Sequence, residues 1–295
     1  MGMSGWRPAV AVVTGTLLLA GCTGEVRNAS DPKETSEQPT ADVSAGGAPS
    51  SSASPADEPY TVADDMAPRT RAEALAFVRR LAVRPDYFGA GFRKSEPYES
   101  DPAEWAVLGE DCLWRREPLP YDVLASLTRR FALPETEGKG PVQVSLTVTV
   151  HEDDLAARRD MAESLEGALR CPEQRLNATG RVRGLFSRAD HFTEQHNAIS
   201  DDNLTESGTY VVDGEQDAHP FAWFKHRLGP VTVAATCRVG AGRTEEEATT
   251  VSSDIGKGVG FVAADIDRQA ADDAAGKSED RTPGTDTASG TESAR

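Results

Sequence analysis

Two stretches of the chain alternate apolar and polar residues with a period of two, which is typical of β-strands with one buried face. In the first, 142–150, five aliphatic residues alternate with Gln143, Ser145, Thr147 and Thr149. The second runs from Pro230 to Val239. Because the first strand has a polar face, the pattern favours an antiparallel sheet over an all-parallel one, whose strands are continuous apolar runs.

Three further segments are rich in aromatic and β-branched residues and are predicted strands. They are Thr209–Val212, Phe221–Leu228 and Trp105–Trp114, the last interrupted by Gly109.

Apolar residues at helical spacing predict two helices in the first half of the chain. One begins at the capping box Thr70–Glu73 and ends before Pro85. The other runs from Pro120, a residue suited to a first helical turn, to Pro134, with Leu124, Leu127 and Phe131 on one face.

Two more helices are predicted in the second half. One extends from a cap at Asp153 or Asp154 to Cys171. The other starts at a second capping box, Thr244–Glu247, and continues to Ile266. Its interior glycines, Gly256, Gly258 and Gly260, mark a kink or a close approach to a neighbouring element.

These elements predict an α+β fold, a mainly antiparallel sheet with helices packed on one face, flanked by disordered tails. Residues 22–68 are rich in Ser, Ala, Pro and acids, so they are expected to form a disordered tether. Residues 69–270 form a single predicted domain, and residues 271–295 a disordered tail.

The N-terminus has the features of an export signal, with one basic residue, Arg7, before an apolar run that ends at Ala20. Its last residues, Leu19-Ala20-Gly21-Cys22, resemble the lipobox of exported bacterial lipoproteins. The resemblance implies that residues 1–21 are a removed signal peptide. It also implies that Cys22 is diacylated, with palmitate-type chains, and anchors the protein at the extracytoplasmic face of the cell membrane. The alternative is an ordinary secretory signal with Cys22 incidental.

The formal net charge is -17, and every part of the mature chain is acidic. Phosphate backbones are bound by clustered Lys and Arg, so nucleic acid is excluded as an expected partner. Adhesion to an anionic lipid surface is disfavoured for the same reason.

Three cysteines follow Cys22, namely Cys112, Cys171 and Cys237. An exported domain can form one disulfide from them, and three pairings are open. We favour Cys112–Cys171, because each residue lies beside the end of a predicted element. Cys237 lies within an apolar strand pattern and is expected to be a small buried hydrophobic residue, although a catalytic thiol is an alternative.

Aromatic residues suggest an apolar groove. Phe221 and Trp223 face the same way along a predicted strand, and Trp105 and Trp114 could join them. A simpler interpretation is that Phe221–Phe224 is a buried central strand.

The sequence shows no familiar catalytic, nucleotide-binding or metal-binding motif, and no cofactor or metal is predicted. Two alternatives remain open. His191 and His196, with neighbouring acids, could bind a divalent metal or serve a hydrolase, and Ser200–Glu206 gathers oxygen ligands of the kind that calcium prefers.

A wider resemblance rests on the order of elements in the core. Cys112-Leu-Trp114 precedes a helix, a strand and a helix that ends at Cys171. This order is similar to exported lipoproteins of high-GC Gram-positive bacteria and, more distantly, to extracellular sensor domains of mycobacterial receptor serine/threonine kinases. The resemblance implies an α+β fold with a cleft and no enzymatic activity. That family pattern has two disulfides, of which three core cysteines could form only one.

We therefore expect a membrane-tethered, non-enzymatic domain that binds a small molecule, a glycan or a protein. The alternatives are an envelope hydrolase with an unrecognised site and a structural adaptor that docks on another exported protein.

Overall fold

The computed structural model describes residues 59–188, 199–214 and 217–280. Within these ranges lie three α-helices, which are α1 (Arg71–Arg80), α2 (Asp154–Arg170) and α3 (Glu245–Asp280). Within these described ranges no helix is long and apolar enough to span a membrane. The ten strands are β1 (Arg93–Glu99), β2 (Glu104–Leu108), β3 (Trp114–Pro118), β4 (Val123–Leu133), β5 (Val142–His151), β6 (Glu173–Arg175), β7 (Gly180–Arg188), β8 (Asp202–Val212), β9 (Ala218–Leu228) and β10 (Val231–Val239).

Eight strands form one antiparallel sheet in the order β1-β4-β5-β10-β9-β8-β7-β6, and β2 pairs with β3 in a separate hairpin. The predicted α+β class and antiparallel sheet are confirmed. β5 and β10 pair along their whole length and bring their two apolar faces together at the centre of the sheet.

The first face of the sheet carries the main core. The apolar residues of β5 and β10 are nearly fully buried there against Phe77 and Val78 of α1 and against Ile255, Val259 and Ile266 of α3. The two predicted capping boxes are present: Thr70 forms a complete capping box, and the Thr244 hydroxyl accepts from the Glu247 amide. The local sequence therefore indicates both where α1 and α3 begin and which of their residues are buried in the core.

The opposite face carries α2 and the β2–β3 hairpin. Lys225 of β9 bonds Asp160 and Ser164 of α2 there, and Ala168 packs in a small cluster with Val182, Leu185 and Phe221. The sequence pattern predicts that all helices pack on one face. That prediction is wrong for α2, which packs on the opposite face. The buried residues of α2 are mostly small and partly polar, so they match the polar face of the sheet.

The helix predicted between Pro120 and Pro134 is wrong, because this segment is strand β4. Leu124, Leu127 and Phe131 fit helical spacing, but Val123, Ala125, Leu127 and Phe131 also alternate at period two. Arg129 interrupts the apolar face of the strand. Its buried guanidinium donates to the carbonyl oxygens of Val78 and Leu81 at the end of α1.

Helix α3 is continuous through its glycines and extends to Asp280, ten residues past the predicted domain boundary. Gly258 is explained by a close approach, because a Cβ there would lie 2.5 Å from the carbonyl oxygen of Tyr87. Tyr87 belongs to the 3-10 helix Pro85–Phe88, which packs on α3.

We expect the folded protein to lose stability in mild acid because His226 is buried in its neutral form. Ser200 Oγ donates to the Asp202 carbonyl, so its 2.9 Å bond to His226 Nδ1 requires a proton on that nitrogen. Burial lowers the pKa of His226 to about 4. Between the unfolded pKa near 6.5 and this value the unfolded chain binds one more proton, so His226's contribution is present above pH 6.5 and lost as pH falls towards 4.

We expect His226 to account for about 2 kcal/mol of the stability lost between pH 7 and pH 4.5. His226→Asn retains an N–H donor but does not titrate, so urea unfolding at the two pH values should show a smaller loss. Equal losses for the two proteins would contradict this assignment.

Candidate functional site

A cleft of about 750 Å³ lies between the polar face of the sheet and the cover formed by α2 and the β2–β3 hairpin. Ligand sites in proteins are concave and typically about 300–1,000 Å³ in volume. The cleft is therefore large enough for a ligand of drug-like size.

The floor of the cleft is made of hydroxyl groups from three neighbouring strands. Strand register places Thr149 between Ser126 and Thr232, Thr147 between Thr128 and Ala234, and Ser145 between Arg130 and Thr236. We call this the hydroxyl floor and define it by its seven members: Ser126, Thr128, Ser145, Thr147, Thr149, Thr232 and Thr236. The alternating pattern of β5 predicts that its polar face meets open solvent. In the structure this face is the middle of the hydroxyl floor.

An aromatic wall borders the floor, since Trp223 is the cross-strand neighbour of Thr236 on the same face of the sheet. The four residues of the predicted groove, Trp105 of β2, Trp114 of β3, and Phe221 and Trp223 of β9, all line the cleft. The rings of Trp114 and Trp223 lie edge to face at 5.9 Å, and Trp114 Nε1 donates to Gln174 at 2.7 Å. The structure thus brings the four together, and their role in ligand binding stays a prediction.

The cover is joined across its width by a disulfide. The predicted Cys112–Cys171 bond is confirmed, and it connects the turn of the hairpin to the end of α2. Arg170 donates to the carbonyl oxygens of Leu108 and Gly109, which adds a second link between the same elements. Cys237 is buried without a disulfide, and burial raises the pKa of its thiol to about 12, so it is inert as a nucleophile near neutral pH.

A buried ion pair contributes to the lining of the cleft. Lys225 Nζ donates to Asp160 Oδ1 at 2.6 Å and to Ser164 Oγ at 2.8 Å. Asp160 Oδ2 lies 3.1 Å from Thr232 Oγ1 and 3.2 Å from His151 Nε2. Burial alone would raise the pKa of Asp160, but the Lys225 charge and the His151 hydrogen bond outweigh it and hold this pKa well below its usual range.

Glu206 is a fully buried carboxylate on β8, next to Trp223 in strand register. Its Oε1 accepts from Ser187 at 3.0 Å, whereas its Oε2 has no hydrogen-bond partner among the described residues. Burial raises the pKa of Glu206, and the Ser187 bond and the Lys225 charge only partly oppose this. The folded protein therefore binds the proton of Glu206 more tightly than the unfolded chain does.

Replacing Glu206 with methionine is expected to stabilise the protein in alkali. The folded pKa lies above the unfolded one, so the contribution of Glu206 is lost as pH rises through the folded pKa. An unpaired buried oxygen costs about 1–3 kcal/mol, and Met removes it at similar size. Urea unfolding at pH 5 and pH 9 should show a gain for Glu206→Met that is larger at pH 9. An equal or smaller gain at pH 9 would contradict the assignment.

The acidic stretch Ser200–Glu206 forms ion pairs. Asp201 and Asp202 both contact Arg227, whose side chain is 3% exposed and which also pairs with Asp154. Across residues 59–188, 199–214 and 217–280, no group of three His, Cys, Asp or Glu side chains is arranged to hold a metal ion. His191, His196 and the lipobox with Cys22 lie outside the described residues.

Sequence reasoning missed the hydroxyl floor as a functional feature. The signal was present, because Ser145, Thr147 and Thr149 alternate on one face of β5 with residues that are short and uncharged rather than the Lys and Glu of an open surface. The contribution of β4 was hidden by its assignment as a helix.

No family model matches this sequence, and no curated protein matches it. Among solved structures, the chain is similar to the extracellular domain of PknH from Mycobacterium tuberculosis, with a TM-score of 0.38 and 12% sequence identity. The similarity covers 69% of this chain and 98% of that chain. That domain is of the class that the order of core elements resembles, but a similarity this low transfers no function.

Proposed function

We propose that this protein is a membrane-tethered lipoprotein whose extracytoplasmic domain binds a small ligand in the cleft and does not transform it. The observation that carries the proposal is the cleft itself, in which Trp105, Trp114, Phe221 and Trp223 from three strands line the same cavity as the hydroxyl floor. An apolar wall with a few directional polar groups is the usual composition of a ligand site.

The disulfide supports an extracytoplasmic location. Structural disulfides persist in oxidising compartments and are rare in the cytosol, so Cys112–Cys171 fits an exported domain. Attachment to the membrane rests on the sequence motif Leu19–Cys22. Two acyl chains on Cys22 would hold the protein stably, whereas one chain would not.

A non-enzymatic role fits the hydrogen bonding of Asp160 and Lys225 in the lining of the cleft. Asp160 and Lys225 satisfy each other, and the Thr232 hydroxyl donates to Asp160. A nucleophile or general base must present a free lone pair to the substrate, and these groups are engaged with one another. Turnover of any envelope substrate by the purified protein would contradict this part of the proposal.

Native mass spectrometry tests the proposal on the full chain, expressed with its own N-terminus in a Gram-positive bacterial host and extracted in mild detergent. We expect a polypeptide that begins at Cys22 with two acyl chains, and an additional mass that disappears on denaturation. Cys22→Ala should lack the acyl mass, and Trp105→Ala should lose the dissociable mass while keeping the acyl chains. A chain without acyl mass would contradict the tether, and a dissociable mass unchanged in Trp105→Ala would contradict the cleft.

One observation favours an adaptor role as a second candidate function. Leu155, Leu165 and Leu169 of α2 are 54%, 44% and 85% exposed. At about 100° per residue they lie within about 80° of one another on the outer face of the helix. Photo-crosslinking in cells from Leu169, compared with exposed Phe261 on α3, should capture an exported protein only from α2 if this function is correct.

A further inference from the structure

The hydroxyl floor offers hydrogen bonds of both kinds. Ser126 Oγ and Thr149 Oγ1 lie 2.9 Å apart, and Thr128 Oγ1 and Thr147 Oγ1 lie 2.8 Å apart. In such a pair one hydroxyl donates its proton to the other. One hydroxyl proton and several lone pairs are then not used within the pair. Through its partly buried members, Ser145, Thr147 and Thr236, the floor can therefore donate to a ligand and accept from it.

The aromatic wall offers flat apolar surface next to these hydroxyls, from Trp223 on the sheet and from Trp105 and Trp114 on the hairpin. Trp105, Trp114 and Trp223 are each only partly buried, so part of each ring is open to the cleft. Aromatic faces carry partial negative charge and attract the C–H groups of a ligand. A ligand that suits both sides has C–H groups on one face and hydroxyl groups around its edge.

Charges in the cleft do not favour an ion. Each cation of the lining has a partner within the protein: Lys225 with Asp160, Arg115 with Asp111, Arg116 with Glu104, Arg130 with the carbonyl of Pro97, and Arg170 with the carbonyls of Leu108 and Gly109. The lining also contains Glu110, Glu163 and Glu166, which would repel an anion. The guanidinium groups of Arg130 and Arg170 bond neutral carbonyl oxygens, so they keep their charge and would repel a cation. An uncharged ligand meets neither obstacle.

An alkyl chain is disfavoured by the floor. It would remove water from the hydroxyls without replacing the lost hydrogen bonds, and each polar group left unpaired carries a desolvation cost. A ring with several hydroxyls restores those bonds.

We infer that the ligand of the cleft is an uncharged saccharide, with its hydroxyls on the hydroxyl floor and its C–H faces against Trp105, Trp114 and Trp223. This inference rests on the proposed function and names its ligand class.

Intrinsic fluorescence reports on the cleft directly. Of the four tryptophans in the chain, Trp105, Trp114 and Trp223 line the cleft, and Trp6 belongs to the predicted signal peptide. We would titrate the detergent-extracted full chain with maltotriose, mannotriose and triacetylchitotriose, and separately with myristate and inorganic phosphate. At least one trisaccharide should change the emission saturably, whereas myristate and phosphate should not.

Matched variants locate the binding. Thr147→Val removes one hydroxyl at constant shape and should weaken binding of the responding trisaccharide about tenfold, which is the value of one hydrogen bond. Trp105→Ala should weaken it by a similar or larger factor. Thr249→Val, an exposed position on α3, should leave the affinity unchanged, and thermal unfolding should show that all three variants fold.

The outcomes separate the inference from the proposed function. Saturable binding of myristate or phosphate but of no trisaccharide would overturn the saccharide inference and leave a ligand-binding cleft. A trisaccharide response that is unchanged in Thr147→Val and Trp105→Ala would also overturn it. No response to any probe would overturn the inference, and the proposed function would then fail only if native mass spectrometry also showed no dissociable ligand.

Discussion

Replacing Cys112 and Cys171 together with serine should lower the free energy of unfolding by about 4 kcal/mol. The bond spans a sequence separation of 59 residues, and removing it restores to the unfolded chain the freedom that closure of this long loop takes away. Guanidinium unfolding of the full chain, oxidised and with the double substitution, measures the difference. The wild-type protein under reducing conditions should lose a similar amount.

The same substitution should loosen the cover of the cleft without abolishing the fold. Arg170 still bonds the hairpin, and Trp114 still donates to Gln174, so we expect a folded protein with more exposed tryptophans. Acrylamide quenching in buffer should therefore increase. Cys237→Ala is the control, because it removes a buried thiol and leaves the disulfide intact. An unfolding midpoint equal to that of wild type in the double variant would contradict the stabilising role.

Replacing Asp160 with asparagine should destabilise the protein by about 3–5 kcal/mol. Lys225 is 6% exposed, and its ammonium would remain buried without an opposing carboxylate. Removing one partner of a buried pair is costly, whereas exposed pairs contribute little. Asp254→Asn, which removes the partner of exposed Lys257, should change stability by less than about 0.5 kcal/mol and serves as the control.

A pH series tests the origin of this effect. Because the pKa of Asp160 is lowered in the folded protein, its contribution is present above the unfolded value of 3.8 and lost as pH falls through the folded pKa. The difference between wild type and Asp160→Asn should shrink below about pH 4. The paired change Asp160→Leu with Lys225→Met should recover most of the stability, because it removes both charges. A paired variant no more stable than Asp160→Asn would contradict the buried-charge argument.

Local signals predicted the elements whose two faces differ in polarity. The capping box at Thr70, the cap at Asp153 and the period-two alternation of 142–150 correspond to observed boundaries. The strand predicted across Trp105–Trp114 is correct only for β2, because residues 109–113 form the hairpin turn and β3 begins at Trp114. Strands β1, β6 and β7 were not predicted, because they are edge or near-edge segments rich in Arg and Glu and lack a regular apolar face.

The sequence by itself determined the class of fold, the Cys112–Cys171 pairing as the favoured choice and the four aromatic residues of the candidate site. It did so because local periodicity and caps record which face of an element is buried. Only the tertiary structure decided that β4 is a strand and that α2 lies opposite α1 and α3. It also decided that the polar face of β5 is the floor of a cleft. Those outcomes depend on contacts distant in the chain, such as Arg129 with the end of α1 and Lys225 with Asp160, which no local pattern encodes.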